Sequence, residues 1–210
     1  MHVVLVGFSL VSDSPTVHQI RHLAAGVVSW QRQEFELYSV NPPLVRMIAA
    51  MPVILAGPDA CPLPYDSGQP RPEFPAGVYF TEENGSRSQW LFSLARWACL
   101  PLGLLGAYIC WRWGLELHGY GGGLVALTLW CFCPNVLGYE HLITPDAAAA
   151  ALGVMACYLF WKWLKRPDWS IAFLTGLGLG LAELTKFTWT VLFALWPAIW
   201  FIWWHLPPRV

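Results

Sequence analysis

Gly138-Tyr-Glu-His-Leu-Ile-Thr-Pro-Asp146, followed at once by the five alanines Ala147 to Ala151, is a short polar segment between two apolar runs. Each run is long enough to cross a bilayer, since about 20 apolar residues span the hydrocarbon core. Two acids and a histidine are thereby expected at a membrane surface.

Working outward, the same length criterion gives apolar helices at about 91 to 111, 119 to 137, 146 to 163, 169 to 185 and 188 to 204. Trp90, Trp97, Trp111, Trp113, Trp161, Trp163, Trp169, Trp203 and Trp204 fall near their ends, where interfacial aromatic belts form. Apolar residues make up 56% of the chain and charged residues 12%, with mean hydropathy +0.46. A soluble domain carries about 25% charge, so this composition excludes one. The expected fold is all-α, a polytopic transmembrane helix bundle with amphipathic helices on its outer face.

Three regions follow: 1–11, a partial or first transmembrane helix; 12–89, an outer loop with surface helices and a proline-rich segment; and 90–210, a five-helix transmembrane region. Met1 to Val11 is apolar but too short to span, and it has neither the basic flank nor the cleavage site of a signal peptide. It reads as the last half of a span, and the chain reads as incomplete at one or both ends.

Within 12–89, His22, Ala25, Val28 and Ser29, then Leu44, Ile48, Met51 and Leu55, recur at helical spacing. They predict helices lying along the membrane surface. Gly57 to Gly77 carries Pro58, Pro62, Pro64, Pro70, Pro72 and Pro75, which predicts an irregular loop.

Arg112, Lys162, Lys165, Arg166 and Arg209 lie in alternate short loops, and the positive-inside rule puts those loops in the cytoplasm. The Gly138–Asp146 loop and the 12–89 segment then face the periplasm, the cell exterior or a lumen, with the plasma or inner membrane as the expected location. Cys61, Cys99, Cys110, Cys131, Cys133 and Cys157 form no Cys-x-x-Cys pair and read as packing residues. Asn84-Gly-Ser86 is a glycosylation acceptor sequence of low specificity.

On the outward face this topology gathers Asp146, His141, Arg96 and Lys186. About 16 residues of helix from Trp169 advance some 24 Å, which carries Lys186 to the surface opposite its start. Cations beside acids suit a phosphate and a hydroxyl to be activated.

His22-Leu-Ala-Ala-Gly26, Glu36-Leu-Tyr-Ser-Val-Asn-Pro-Pro-Leu-Val-Arg46, Leu94-Ala-Arg-Trp97, Thr144-Pro-Asp146 and Gly176-Leu-Gly-Leu-Gly-Leu-Ala-Glu-Leu-Thr-Lys186 occur in that order. In order and spacing the chain resembles the N-terminal portion of glycosyltransferase family 39, the protein O-mannosyltransferase and aminoarabinose-transferase group of the GT-C class. The resemblance implies transfer of a sugar from a polyprenyl-phosphate donor to a hydroxyl acceptor, on protein or lipid, with inversion at the anomeric centre. His141, on the same face, and Asn41, in a rigid turn that would help to shape an acceptor groove, are further candidate substrate contacts, and the resemblance implies a catalytic role for Asp146 and phosphate binding by Arg96 and Lys186. Cations there would stabilise charge developing on the departing phosphate.

Where the family pattern has Asp-Glu, this chain has His18-Gln19. Three readings stay open: the His18 imidazole as the base, Asp13 five positions away, or an inactive site. The last favours a noncatalytic protein that binds polyprenyl phosphate or scaffolds a membrane partner. Each candidate also has a plainer role: Asp146 at a helix start favours the dipole, Lys186 and Arg96 can anchor at the interface, and Asn41-Pro-Pro43 is a rigid turn.

His18 and His22 share one helix face at zinc-ligand spacing, but Gln19 replaces the needed glutamate and no third ligand is evident. No cofactor is expected, and a divalent metal rests only on some relatives of the family. Gly121-Gly-Gly123 and Gly176-x-Gly-x-Gly180 sit within apolar runs and read as close-packing positions. No basic cluster or aromatic platform points to nucleic acid, and no inverted repeat points to a transporter.

Overall fold

The computed structural model of the chain describes residues 1–59, 65–66 and 68–205. Cys61, Pro62, Pro64 and Arg209, named above, lie outside them. Among the described residues there are helices and no strands: α1 His2–Ser12, α2 Val17–Arg32, α3 Leu44–Leu55, α4 Glu73–Glu83, α5 Ser88–Phe132, α6 Pro134–Glu140, α7 Pro145–Lys165, α8 Trp169–Glu183 and α9 Leu192–His205. The protein is an all-α membrane bundle.

Glycines decide how the first two apolar runs meet. Gly119 has φ 71° and ψ −166°, a conformation essentially restricted to glycine, and it folds α5 back on itself. Pairs symmetric about the turn then touch. Gly114 lies against the Gly122 backbone, Gly123 against Trp111, and Gly106 leaves room for the Trp130 ring. Small residues let helices approach closely in lipid, where dispersion contacts hold them together.

The second expected span, 119–137, is therefore the return arm of α5 continued by α6. The two pieces are separated because Cys133 precedes Pro134 and is extended at φ −63°, ψ 121°, as the proline ring requires of its neighbour. Three stretches are long and apolar enough to cross a membrane, Gly85–Phe132, Pro145–Lys165 and Phe187–His205. Helix α8, with 15 residues, extends about 22 Å and is shorter than the span expected there. Asp168 starts it by accepting hydrogen bonds from the amides of Ser170 and Ile171.

The outer segment is more than a set of surface helices. Every residue of α2 from His22 to Ser29 is buried, because α3 covers one side of the helix and α4 another. Both contacts need a missing side chain. A Cβ at Gly26 would run into the Arg46 carbonyl, and one at Gly77 would come within 2.8 Å of the Ile20 carbonyl carbon. Leu23, Val53, Phe80, Phe92 and Ile143, all 0% exposed, join these helices to the N-terminal part of α5. Each large side chain so buried contributes about 1.5–3 kcal/mol.

Two expectations change in this region. The proline-rich stretch is helical from Glu73 onward, with Pro75 inside the first turn of α4, where a missing N–H costs nothing. The Asn84 side chain is committed, its Nδ2 donating to the Phe80 carbonyl and its Oδ1 accepting from the Asp59 amide. Only 4% exposed, Asn84 is not presented for glycosylation.

Helix α1 is held at both ends. Near its start, His2 Nδ1 donates to the Cys131 carbonyl and Nε2 faces Glu140 Oε2 at 2.8 Å; the Glu140 carboxyl occupies space that a side chain at Gly103 would fill. Near its end, Arg96 takes over.

Candidate active site

Helix α7 begins at the Thr144-Pro145 step, the proline preset for a first turn. Asp146 follows in the first turn of the helix. Lys186 reaches it because α8 stops at Glu183 and Lys186 is extended, at φ −156° and ψ 129°. Trp189 fixes the turn beyond, donating from Nε1 to the Ala149 carbonyl at 3.1 Å and lying in the gap left by Gly153. Lys186 Nζ donates to Asp146 Oδ1 at 2.8 Å. Both side chains keep over a third of their surface exposed, 36% and 38%, so the pair is open to a ligand.

Beside it stands a wall built on Tyr38. The Leu44 amide donates to the Leu184 carbonyl at 3.1 Å, docking the Asn41-Pro-Pro43 turn on the end of α8. Asn41 Nδ2 donates to Tyr38 Oη at 2.9 Å, and Arg46 Nη1 donates to the carbonyls of Tyr38 and Asn41 at 2.6 and 3.2 Å. Arg21 and Arg46 each lie 5.3 Å from the Tyr38 ring centre, and His22 meets the ring edge-on at 4.7 Å. Burial pulls the Arg46 guanidinium down to about 10, which leaves it cationic at neutral pH. Burial, then the nearby Arg21, Arg46 and His18, push His22 down to about 3, with Asp146 opposing. His22 is thus a neutral imidazole within electrostatic reach of Asp146. Arg21, Arg46 and Lys186 against one carboxylate leave the wall cationic.

The remaining expected residues form an adjoining cluster one turn away along α2. Arg96 is 0% exposed. Its Nε donates to Gln19 Oε1 at 2.8 Å, and its Nη1 donates to the carbonyls of Leu10 and Asp13 at 3.0 and 2.7 Å. The guanidinium thus joins α5, α2 and the end of α1. Its Nη2 and the Gln19 Nε2 are buried without partners. His141 Nδ1 donates to the Leu137 carbonyl, and its Nε2 faces Asp13 Oδ2 at 3.4 Å.

His18 is exposed, and its Nδ1 accepts from Arg21 Nη2 at 2.6 Å. The ring proton of a neutral His18 therefore sits on Nε2. His18 and His22 part company, one on Arg21 and the other on Tyr38. Among the described residues no group of three or more His, Cys, Asp or Glu converges.

The structure thus brings Asp146 and Lys186 into contact, with Asn41 close by through Tyr38. It ties Gln19 and Asp13 to Arg96, sets His141 beside Asp13, and leaves His18 on the surface beside Arg21. Sequence reasoning did not single out Arg21, His22, Tyr38 or Arg46 for the site. The only signal was the place of His22, Tyr38 and Arg46 in the quoted motifs, since no spacing rule links a loop tyrosine to arginines on two helices.

Residues 87–208 match a protein-family model described as dolichyl-phosphate-mannose-protein mannosyltransferase. The matched stretch contains Arg96, Asp146 and Lys186. No curated protein and no solved structure matches the chain.

Proposed function

Because the chain belongs to the dolichyl-phosphate-mannose-protein mannosyltransferase family, a family of membrane glycosyltransferases, we propose that it moves a sugar from a polyprenyl-phosphate donor to a hydroxyl acceptor beside Asp146. The observation that carries this is the Asp146–Lys186 contact, solvent-accessible and within electrostatic reach of His22, beside which Arg21 and Arg46 lie. The donor phosphate takes Lys186 as its counter-charge, with Arg21 next to it, and so releases the Asp146 carboxylate. The acceptor oxygen attacks the anomeric carbon from the side opposite the phosphate, and the bond between that carbon and the phosphate oxygen breaks. The bonding pair stays with the departing polyprenyl phosphate, and the acceptor proton passes to Asp146. Charge grows on the phosphate as the bond breaks, and fixed cations there lower the barrier.

His18 can take the proton instead only after its Nδ1 leaves Arg21, so Asp146 is given the base role and His18 that of holding Arg21. Arg96, enclosed by its three bonds, is a positioning residue that fixes α1 and α2 against α5. The active face is the one that carries Asp146, on the periplasmic, extracellular or lumenal side.

A second reading has its own observation. Gln19 stands where the family pattern has an acid and is tied to Arg96, which favours a protein that holds polyprenyl phosphate without turnover. The test uses the full chain in a lipid bilayer with a radiolabelled polyprenyl-phosphate sugar and a hydroxyl acceptor, following both donor binding and release of polyprenyl phosphate. Sugar transfer that D146N abolishes supports the transferase. Binding lost in K186M, with no release from the parent, establishes the noncatalytic reading. Neither binding nor release would overturn both.

A further inference from the structure

At the end of α7 remote from Asp146, a second polar cluster lies outside the proposed reaction. Tyr158 and Lys162 lie 12 and 16 residues along α7 from Asp146, which separates the two clusters by about 18–24 Å. Glu116 Oε1 accepts from Tyr158 Oη at 2.7 Å and pairs with Arg112 Nε at 3.0 Å and Lys162 Nζ at 3.8 Å. Lys165 Nζ lies 3.9 Å from the centre of the Trp161 ring. Trp113 packs against both Tyr158 and Trp161, at 5.8 and 5.9 Å, and its Nε1–H is buried without a partner. Arg166 adds a further exposed cation. Four cations thus face Glu116 and Asp168, and the Asp168 carboxylate is already spent on the first amides of α8. The excess is positive, and Arg112 and Lys162 are about two-fifths exposed, 41% and 40%.

From Trp113 an apolar groove of about 770 Å³ runs along the α5 hairpin, lined by Gly114, Leu117, Gly122, Val125 and Leu129. The glycines that let the two arms touch also open this groove. Its walls offer hydrocarbon contacts and almost no polar group, whereas the cationic cluster adjoins its mouth at Trp113, which lines the groove and packs against Tyr158 and Trp161. A soluble anion uses only the mouth, but an anionic phospholipid uses both.

We infer that this is a binding site for an anionic phospholipid, whose headgroup phosphate rests among Arg112, Lys162 and Lys165 while one acyl chain lies in the groove beside Trp113. The Glu116 carboxylate keeps the cations splayed and limits the affinity. The site is independent of the sugar-transfer reading.

The experiment uses the full chain purified in a neutral detergent. Retention of phosphatidylglycerol and of phosphatidylcholine with identical acyl chains is measured by native mass spectrometry. Phosphatidylglycerol is expected to be retained selectively, and K162Q/K165Q to weaken it about fivefold for each cation removed. E116Q keeps the acceptor for Tyr158 but removes the carboxylate that pairs with Arg112 and Lys162, so it is expected to strengthen retention. That gain is one a damaged fold does not produce, and it keeps the test decisive if K162Q/K165Q fails to fold. Inorganic phosphate in excess is expected to leave the bound lipid in place. Equal retention of the two lipids, unchanged or weaker retention in E116Q, or displacement by phosphate alone overturns the assignment.

Discussion

Lys186 Nζ and Asp146 Oδ1, 40 positions apart in the chain, meet at 2.8 Å where α7 begins and just beyond where α8 ends. An exposed pair of this kind contributes about 1 kcal/mol or less to stability, so removing it tests chemistry with little disturbance of folding. D146N is expected to leave the melting temperature nearly unchanged while lowering sugar transfer by about 10²–10⁴, the range for removing a positioned proton acceptor. K186M is expected to weaken donor binding as well. Parallel thermal melts and initial rates separate the two effects, and a D146N protein that transfers at the parent rate rules out the base role.

His22 supplies the pH dependence. Its ordinary value is 6.5, and burial first, then the flanking Arg21 and Arg46, holds it at about 3 in the folded protein. Between those values the unfolded chain binds a proton that the folded one does not, so stability rises with pH there. The contribution is fully present above about pH 6.5 and is lost as pH falls from there toward 3, with a slope of up to about 1.4 kcal/mol per pH unit. Urea unfolding in micelles at a series of pH values should show this slope, and H22N should flatten it. An unchanged slope in H22N would assign the acid sensitivity to other groups.

Gly119 is where the membrane hairpin turns. Its φ of 71° with ψ of −166° is open to glycine and costs other residues of order 1–3 kcal/mol. No atom lies within 4 Å of a Cβ placed there, so G119A isolates the backbone cost from any clash. The expected loss is about 1–3 kcal/mol with the helix content unchanged, checked by circular dichroism during denaturation. G106L should cost more, because it also expels the Trp130 ring.

Much of this architecture could be read from the chain because bilayer thickness sets helix length. The apolar runs around Gly138–Asp146 located the membrane helices, and the rise per residue carried Lys186 to the surface opposite Trp169. The outer segment was harder. Periodicity at His22, Ala25, Val28 and Ser29 describes a helix with one buried face, whereas α2 is covered from two sides. The signal for that lay in Gly26 and Gly77, whose meaning depends on what crosses there. The wall around Tyr38 was equally hidden, since it joins α2, the turn before α3 and the end of α8 through contacts that no local pattern encodes. The α4 start at Glu73 was masked by its prolines, which are harmless only within a first turn.

The Gln19–Arg96 contact shows what the altered motif leaves behind. Gln19 Oε1 accepts from Arg96 Nε, but Gln19 Nε2 and Arg96 Nη2 are two buried donors without acceptors, and a buried unsatisfied donor costs about 1–3 kcal/mol. Q19E has nearly the same shape and turns one orphaned donor into an acceptor for the other, and its charge neutralises that of Arg96. Desolvating the new carboxylate opposes this gain, but the partner cation is already buried and two hydrogen bonds become available. Q19E is therefore expected to raise the unfolding free energy by about 1 kcal/mol at neutral pH, with the gain disappearing under acid. R96A is expected to lose about 3–5 kcal/mol, because it leaves the carbonyls of Leu10 and Asp13 unpaired and frees the end of α1. In the double variant Q19E/R96A the glutamate should be more harmful than the glutamine, since it is then a buried charge alone. A double-mutant cycle from urea unfolding measures that coupling. A coupling near zero would mean that position 19 does not govern Arg96, and the placing of α1 and α2 against α5 would have to be sought elsewhere.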